Sequence, residues 1–296
     1  MQSNYGIWPG DGTGGGLIHQ EHTNLAPYLE STHVTEFKEE LKASIYDYPR
    51  YYDLLFGSDW KAEIDFFEDC FSKHCGGKVS RVFEPACGTG RLLIKLANAG
   101  YTVSGNDLNP KAIDYCNDRF ERFNHDRSAV VKDMSDFTVS RRVDAAFNTI
   151  NSFRHLPTEA TAVAHLQCMA RALRKGGIYI LGLHLEPTKG ERIQEEGWTA
   201  RKGHLMINSY MWSKGVDRKR RMEMLGMLLD VYTPTKHMQI EDHMEYRTYT
   251  HAQFQSLMRK VPELKIAEIY DFAYDINQMI KIKPTTEDVV FILEKQ

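Results

Sequence analysis

The sequence predicts an α/β protein built on a doubly wound, mostly parallel seven-stranded sheet, and two observations carry that expectation. The stretch VFEPACGTGRLLIKLANAGYTVSGNDLNP at 82–110 reads as strand, glycine turn, helix, strand and acidic residue, one nucleotide-binding half of such a sheet. Strand and helix patterns then keep alternating to about residue 185 and resume at Thr250, the order a three-layer sandwich requires.

Taken in order, an amphipathic helix is expected over 60–75 and a short apolar strand over 80–83. Gly88 and Gly90 let the chain turn tightly, 91–99 repeats Leu and Ile at helical spacing, and Gly100 ends that helix. Residues 101–105 form the second strand. Asp107 stands beyond it, where a carboxylate can accept hydrogen bonds from both hydroxyls of a ribose. Asn109 and Pro110 suit the N-cap and first position of the next helix, and Ala112, Ile113, Cys116, Phe120 and Phe123 recur along its buried face. Strands follow over 129–132 and 143–148. A helix is expected over 158–175, closed by Gly176-Gly177 before a strand at 178–185. Between 185 and 249 the pattern becomes alternating, with a turn expected at Lys214-Gly215, so this part reads as an antiparallel insertion. A last helix at 250–261 and strands at 264–270 and 288–293 close the sheet, with 271–286 left unplaced.

Three details narrow the ligand of the glycine turn. Where a dinucleotide fingerprint needs a third Gly or Ala, this chain has Leu93. No Gly-Lys-Ser/Thr follows, so a phosphate-cradling loop is excluded. Glu84, just before the turn, would repel a pyrophosphate but attract an ammonium. A ligand that joins a ribose to an ammonium and lacks phosphates is S-adenosylmethionine.

At this point the residues resemble a family. Glu84-Pro85-Ala86-Cys87-Gly88-Thr89-Gly90 resembles the first motif of the class I S-adenosylmethionine-dependent methyltransferases, and Gly105-Asn106-Asp107-Leu108 the second. Residues 130–137 are similar to the family's third strand with its adenine-contacting Asp-Met pair, here Asp133 and Met134. Residues 151–157 are similar to the segment after the fourth strand in glycine and amino-sugar N-methyltransferases, and 174–180 to the turn into the fifth strand. The resemblance implies S-adenosylmethionine as cofactor, held by Tyr52, Glu84, Ala86, Cys87, Gly88, Gly90, Asp107, Leu108, Asp133, Met134, Asn148 and Asn151. Within Tyr52-Asp53 it places the tyrosine across the cofactor, where its ring could face the sulfonium; the bland reading is an aromatic cluster packed on the sheet. Asn148-Thr149-Ile150-Asn151 is neither the Pro-Pro-aromatic of amino-methylating DNA enzymes nor the Pro-Cys of cytosine-C5 enzymes.

The implied division is a flexible extension or lid at 1–41, a cofactor-binding domain at 42–187 and 249–296, and a substrate cover at 188–248. Tyr5, Trp8 and Tyr28 are the aromatic residues such a lid would use. Tyr210, Trp212 and Arg247 are the substrate-contact candidates of the cover. A guanidinium at Arg247 could grip a carboxylate or phosphate, or merely pair with Glu245. Methyl transfer needs proximity and exclusion of water, so an amine has only to arrive neutral, whereas a hydroxyl needs a base such as His155 or His184. For each histidine the plainer reading, a packing, capping or core residue, comes first.

Composition bounds the partners. With 37 Lys plus Arg against 40 Asp plus Glu, the net charge of −3 argues against a dedicated nucleic-acid binder. No DNA, membrane or metal partner is expected, RNA is disfavoured despite the basic run at 218–221, and oligomeric state is open. No apolar run is long enough to span a membrane and no signal sequence appears, so a cytoplasmic protein is expected. Its five cysteines read as reduced thiols. The function expected is methylation of a small-molecule nitrogen or oxygen; the alternatives are an RNA or protein methyltransferase and a non-catalytic cofactor-binding protein.

Overall fold

A computed structural model describes residues 38–58, 60–190, 192 and 194–296. The chain begins with β1 (Lys38–Lys42), α1 (Pro49–Phe56), α2 (Trp60–His74), β2 (Arg81–Pro85), α3 (Leu93–Asn98), β3 (Thr102–Asp107) and α4 (Pro110–Arg122). It continues through β4 (Ala129–Val131), β5 (Val143–Asn148), α5 (Glu159–Ala172) and β6 (Leu173–His184). Four long strands follow, β7 (Glu195–Lys202), β8 (Leu205–Asp217), β9 (Met222–Tyr232) and β10 (His237–Arg247), before α6 (His251–Met258), β11 (Leu264–Tyr270) and β12 (Asp288–Lys295).

The main sheet has the order β11-β12-β6-β5-β2-β3-β4. β6, β5, β2, β3 and β4 run parallel, and β12 lies antiparallel to both β6 and β11. All six residues of β5 are buried, as a strand covered by helices on both faces must be. On one face Phe254 stacks on Phe291 at 4.3 Å, and on the other Phe67 meets Phe147 at 4.7 Å. Strand order reverses direction between β2 and β5, and the crevice outside their carboxyl ends is the ligand position of such sheets.

Capping explains where the helices start. The Asn109 side chain accepts from the Lys111 and Ala112 amides, Thr158 forms a reciprocal cap with Thr161, and Thr250 does so with Gln253. One helix end differs from expectation. The chain leaves α5 at Ala172, and Leu173 already pairs with Val143, while Arg174 Nε donates to Asp144 Oδ1 at 2.7 Å. Tertiary pairing to β5 outweighs the helix propensity of 173–175, and Gly176, at φ 68°, turns within the strand rather than behind the helix.

A second sheet, β1-β10-β9-β8-β7, is an antiparallel meander joined at its edge by β1, which pairs parallel to β10. Its apolar face, with Ile207, Leu225, Met227, Leu229 and Ile240, packs on Ile45 and Leu55, so α1 and the turn before it lie beneath this sheet. One expectation is corrected here. β8 passes through Lys214 and Gly215 with only a bulge, and the reversal comes at 218–221, where Asp217 Oδ1 accepts from the Lys219 and Arg220 amides. The basic run is therefore the hairpin tip itself. The lid reading of 1–41, with Tyr5, Trp8 and Tyr28, lies outside the described residues except for 38–41, which are strand. The unplaced 271–286 segment packs onto the core, with Tyr274 edge-on to Phe66 at 5.6 Å.

Candidate active site

At the carboxyl end of β2 the chain turns through Ala86, Gly88 and Gly90, all at positive φ (51°, 51° and 66°). A side chain at Gly90 would place its Cβ 2.4 Å from Cys116 Sγ, so this position is closed to anything larger than glycine. Ala86 carries the αL conformation with a Cβ, backbone strain of the kind found where a chain is shaped for a ligand. Asp107, ending β3, braces the turn. Its Oδ2 accepts from the Gly88 amide at 2.9 Å and its Oδ1 from the Asn109 amide at 2.8 Å. Burial pushes this carboxyl up, against the pull of those amides.

Glu84 is buried, and its Oε2 has no partner among the described residues. Burial pushes its carboxyl well above the usual range, while the Arg91 guanidinium draws it back. Arg91 is itself gripped by Glu63 through two bonds of 2.5 and 2.8 Å, and Thr149 Oγ1 donates to the same carboxylate at 2.7 Å.

These elements open onto a cavity of about 490 Å³, within the range of small-molecule sites. Of the residues expected at a cofactor, Tyr52, Ala86, Gly88, Asp107, Leu108, Met134 and Asn151 line it. Leu108, 65% exposed, and Ile150, 36% exposed, present apolar surface here together with Met134. Cys87 and Gly90 lie behind the turn, against Cys116, and do not line the cavity. Asn148 donates from Nδ2 to the Pro85 carbonyl at 2.8 Å and supports the end of β2 instead. Asp133 is also absent from the lining; its Oδ1 accepts from the amide and hydroxyl of Ser135, at 2.7 and 2.8 Å, and caps its own turn.

The cavity's far wall is aromatic. The Tyr46 hydroxyl hydrogen-bonds His155 Nε2 at 2.9 Å and lies 3.4 Å from the Tyr246 hydroxyl, and the Tyr46 and Tyr52 rings meet at 5.6 Å. Burial and the neighbouring Arg154 push the His155 imidazole down to about 4, so it is neutral at physiological pH. Trp198, Met227 and Met244 complete this wall from the second sheet.

A second cavity, of about 210 Å³, adjoins the first, with Asn151, Glu196, Met211 and Tyr246 lining both. His184 lies in it, bonded at Nδ1 to Asp288 (2.6 Å) and at Nε2 to Glu287 (3.0 Å). Burial pushes this imidazole down, but the two carboxylates outweigh it and hold it up at about 9. Protonated and bonded at both nitrogens, His184 has no lone pair to act as a base near neutral pH. Asn151, at φ 53°, accepts from the His184 amide at 2.7 Å and so fixes the border between the cavities.

The substrate candidates separate. Trp212 lines the second cavity and stacks on Tyr210 at 5.4 Å, while Tyr210 itself lines neither cavity and bonds Glu195. Arg247 is buried outside both, where its guanidinium donates to the Pro157 carbonyl at 3.0 Å over the Tyr249 ring, and Glu245 pairs with Arg220 instead. The guanidinium groups in the second cavity are those of Arg154 and Arg192, and Arg154 donates to Glu223 at 2.6 Å with both side chains 6% exposed. Sequence reasoning missed Arg154, Glu223, Glu196, Trp198 and Tyr46. Only Tyr46 had a signal, since it sits in the aromatic stretch from which Tyr52 was singled out.

Comparisons with known proteins agree with this geometry. Residues 82–177 match the model of a family described as a methyltransferase domain. The chain is 20% identical over 180 residues to the putative methyltransferase YqeM of Bacillus subtilis (strain 168), covering 60% of this chain and 71% of that protein. Among solved structures it resembles an S-adenosylmethionine-dependent methyltransferase from Clostridium acetobutylicum ATCC 824, with a TM-score of 0.69 and 16% identity over 84% of this chain and 97% of that one. It also resembles CalS10, an amino pentose methyltransferase from Micromonospora echinaspora (TM-score 0.65, 17% identity, 87% and 99% covered). A third likeness is to the sugar N-methyltransferase KedS8 from Streptoalloteichus sp ATCC 53650 (TM-score 0.65, 14% identity, 90% and 99% covered). At such identities the structural likenesses establish the fold.

Proposed function

We propose that this chain, an S-adenosylmethionine-dependent methyltransferase, methylates a nitrogen of a small molecule held where its two cavities meet. The observation that carries this reading is the shared wall of Asn151, Glu196, Met211 and Tyr246, enclosed by the Tyr46, Tyr52 and His155 rings. When bound, the cofactor supplies an activated methyl group on a sulfonium, with a neutral thioether as leaving group.

The residues of the larger cavity suit that cofactor. Asp107 has lone pairs left for a ribose after bracing Gly88 and Asn109, whereas Glu84, expected to meet the ammonium, is buried and does not line the cavity. Leu108, Met134 and Ile150 offer apolar surface to an adenine. What the chain adds to the chemistry is placement of the nucleophile about 3 Å from the methyl carbon and exclusion of water.

Nitrogen is favoured over oxygen by the histidines. A hydroxyl acceptor calls for a base poised near the working pH. His155, held at about 4, is a poor proton acceptor, and His184, held at about 9, keeps its proton between two carboxylates. An amine that reaches the site neutral needs neither. Small size is favoured because the basic hairpin tip is partly neutralised within the chain, Arg221 by Glu159 at 2.7 Å and Arg220 by Glu245 at 3.6 Å. The amino-sugar neighbours point the same way.

Calorimetry with S-adenosylhomocysteine, followed by transfer of a labelled methyl group to a panel of amines and their hydroxyl isosteres, tests the proposal. Binding of S-adenosylhomocysteine with amine methylation is expected. Methylation of hydroxyls alone, or of RNA in preference to metabolites, would overturn it.

A further inference from the structure

We propose that the second cavity receives the non-reacting part of the acceptor and selects a cationic one, so that the molecule methylated carries a second ammonium or equivalent cation a short chain away from the reacting nitrogen. The inference rests on the reading of the shared wall as the place of methyl transfer and adds to it the charge of the acceptor.

Position comes first. A molecule whose nitrogen lies at the Tyr46, Tyr246 and Asn151 junction can continue, away from the donor cavity, into the second cavity, which shares Asn151 and Tyr246 with the first. Its volume of about 210 Å³ corresponds to roughly seven waters at about 30 Å³ each, room for a short chain or a single ring.

Charge decides what that group is. Glu186, Glu195, Glu196, Glu223, Glu287 and Asp288 line the cavity, and the cationic side chains facing them are Arg154, Arg192 and His184. Each of those cations is already held by a carboxylate: Arg154 by Glu223, Arg192 by Glu223 and by Glu186 at 3.4 Å, and His184 by Glu287 and Asp288. A carboxylate or phosphate entering here would have to displace one of these bonds and would add to a negative excess. An ammonium would reduce that excess, in a recess whose partly buried walls weaken solvent screening. Trp212, stacked on Tyr210 and with Lys214 Nζ 5.9 Å from its ring centroid, adds an aromatic wall to the recess. Arg154 and Glu223 make the floor rigid, being buried and directly bonded, so this charge pattern does not rearrange to suit an anion.

Three probes of one chain length isolate the end group: 1,5-diaminopentane, pentylamine and 5-aminopentanoate. The full chain is first titrated with S-adenosylhomocysteine and then, saturated with it, with each probe. We expect the diamine to bind about tenfold more tightly than the monoamine, a gap of about 1.4 kcal/mol, and the aminopentanoate to bind most weakly. Glu287→Gln should narrow the gap severalfold while leaving S-adenosylhomocysteine affinity unchanged. Equal affinities, a preference for the aminopentanoate, or no binding of the diamine overturns the inference. Absence of S-adenosylhomocysteine binding in the first titration counts instead against the methyltransferase reading, so the two failures are told apart.

Discussion

At Asp107 both carboxylate oxygens already accept backbone amides, from Gly88 at 2.9 Å and Asn109 at 2.8 Å, so one side chain shapes the glycine turn and also faces the larger cavity. Asp107→Ala is expected to weaken S-adenosylhomocysteine binding by about 1.5 to 3 kcal/mol, the range for losing a charge-assisted partner. Calorimetry checks this, and an affinity unchanged within about twofold would show that the sugar is held elsewhere. Tyr46 is the second test at this scale. Its hydroxyl bonds His155 and neighbours the Tyr246 hydroxyl at the junction, so Tyr46→Phe should lower kcat/KM for an amine by about tenfold, on the order of 1.4 kcal/mol. An unchanged kcat/KM would assign Tyr46 to packing alone. Residues such as Gly88 and Asp107 were legible because local backbone geometry demands their type at a fixed place in the motif order. Arg154, Glu196 and Glu223 were not, because a charged residue in a strand or short turn looks solvated until the fold brings its partner from far along the chain, as Glu223 comes to Arg154.

The element that closes the larger cavity is α1, and two polar latches fasten it. Asp53 Oδ1 accepts from Thr89 Oγ1 at 3.1 Å and from Arg119 at 2.5 Å, and just before the helix Asp47 accepts from Asn109 and Lys111, each at 2.9 Å. Arg119 also donates to the Thr89 carbonyl at 3.1 Å, which ties α1, the glycine turn and α4 to one guanidinium. Arg119→Ala should therefore cost about 1.5 to 3 kcal/mol and increase protease cleavage in 45–57 before any in the main sheet. Simultaneous cleavage of both regions would show that α1 does not open by itself. Most of the main sheet could be read in the sequence because its strands are buried apolar runs separated by capped helices. The start of β6 at Leu173 and the reversal at 218–221 could not, since pairing with β5 and β9 respectively decides them. The pairing of β1 with β10 joins residues about two hundred positions apart, and no local pattern announces it.

Across the whole molecule, two buried histidines give stability opposite dependences on pH. His184 is held up at about 9 between Asp288 and Glu287, above the 6.5 of an unfolded histidine. Its contribution is complete below pH 6.5 and is lost as pH rises through 9. His165 is the reverse case. It lies wholly buried between the Met134 carbonyl at 2.8 Å and the Tyr179 hydroxyl at 3.0 Å, and burial pushes it down to about 4. The unfolded chain binds that proton first on acidification, so stability from this site is complete above pH 6.5 and is lost as pH falls through 4. At 1.36 kcal/mol per unit, each site moves stability on the order of 3 kcal/mol across its window. Subtracting the denaturation profile of His184→Gln from that of the parent chain removes the titrating groups that do not touch the imidazole, so the difference should be largest near pH 6.5 and shrink toward pH 9. The corresponding subtraction for His165→Gln should stay level above pH 6.5 and shrink toward pH 4. If the His184 difference were instead level through pH 9, the imidazole would not be charged in the folded chain. The acceptor cavity would then be more negative than its bonding pattern implies, and the preference for a cation should rise accordingly.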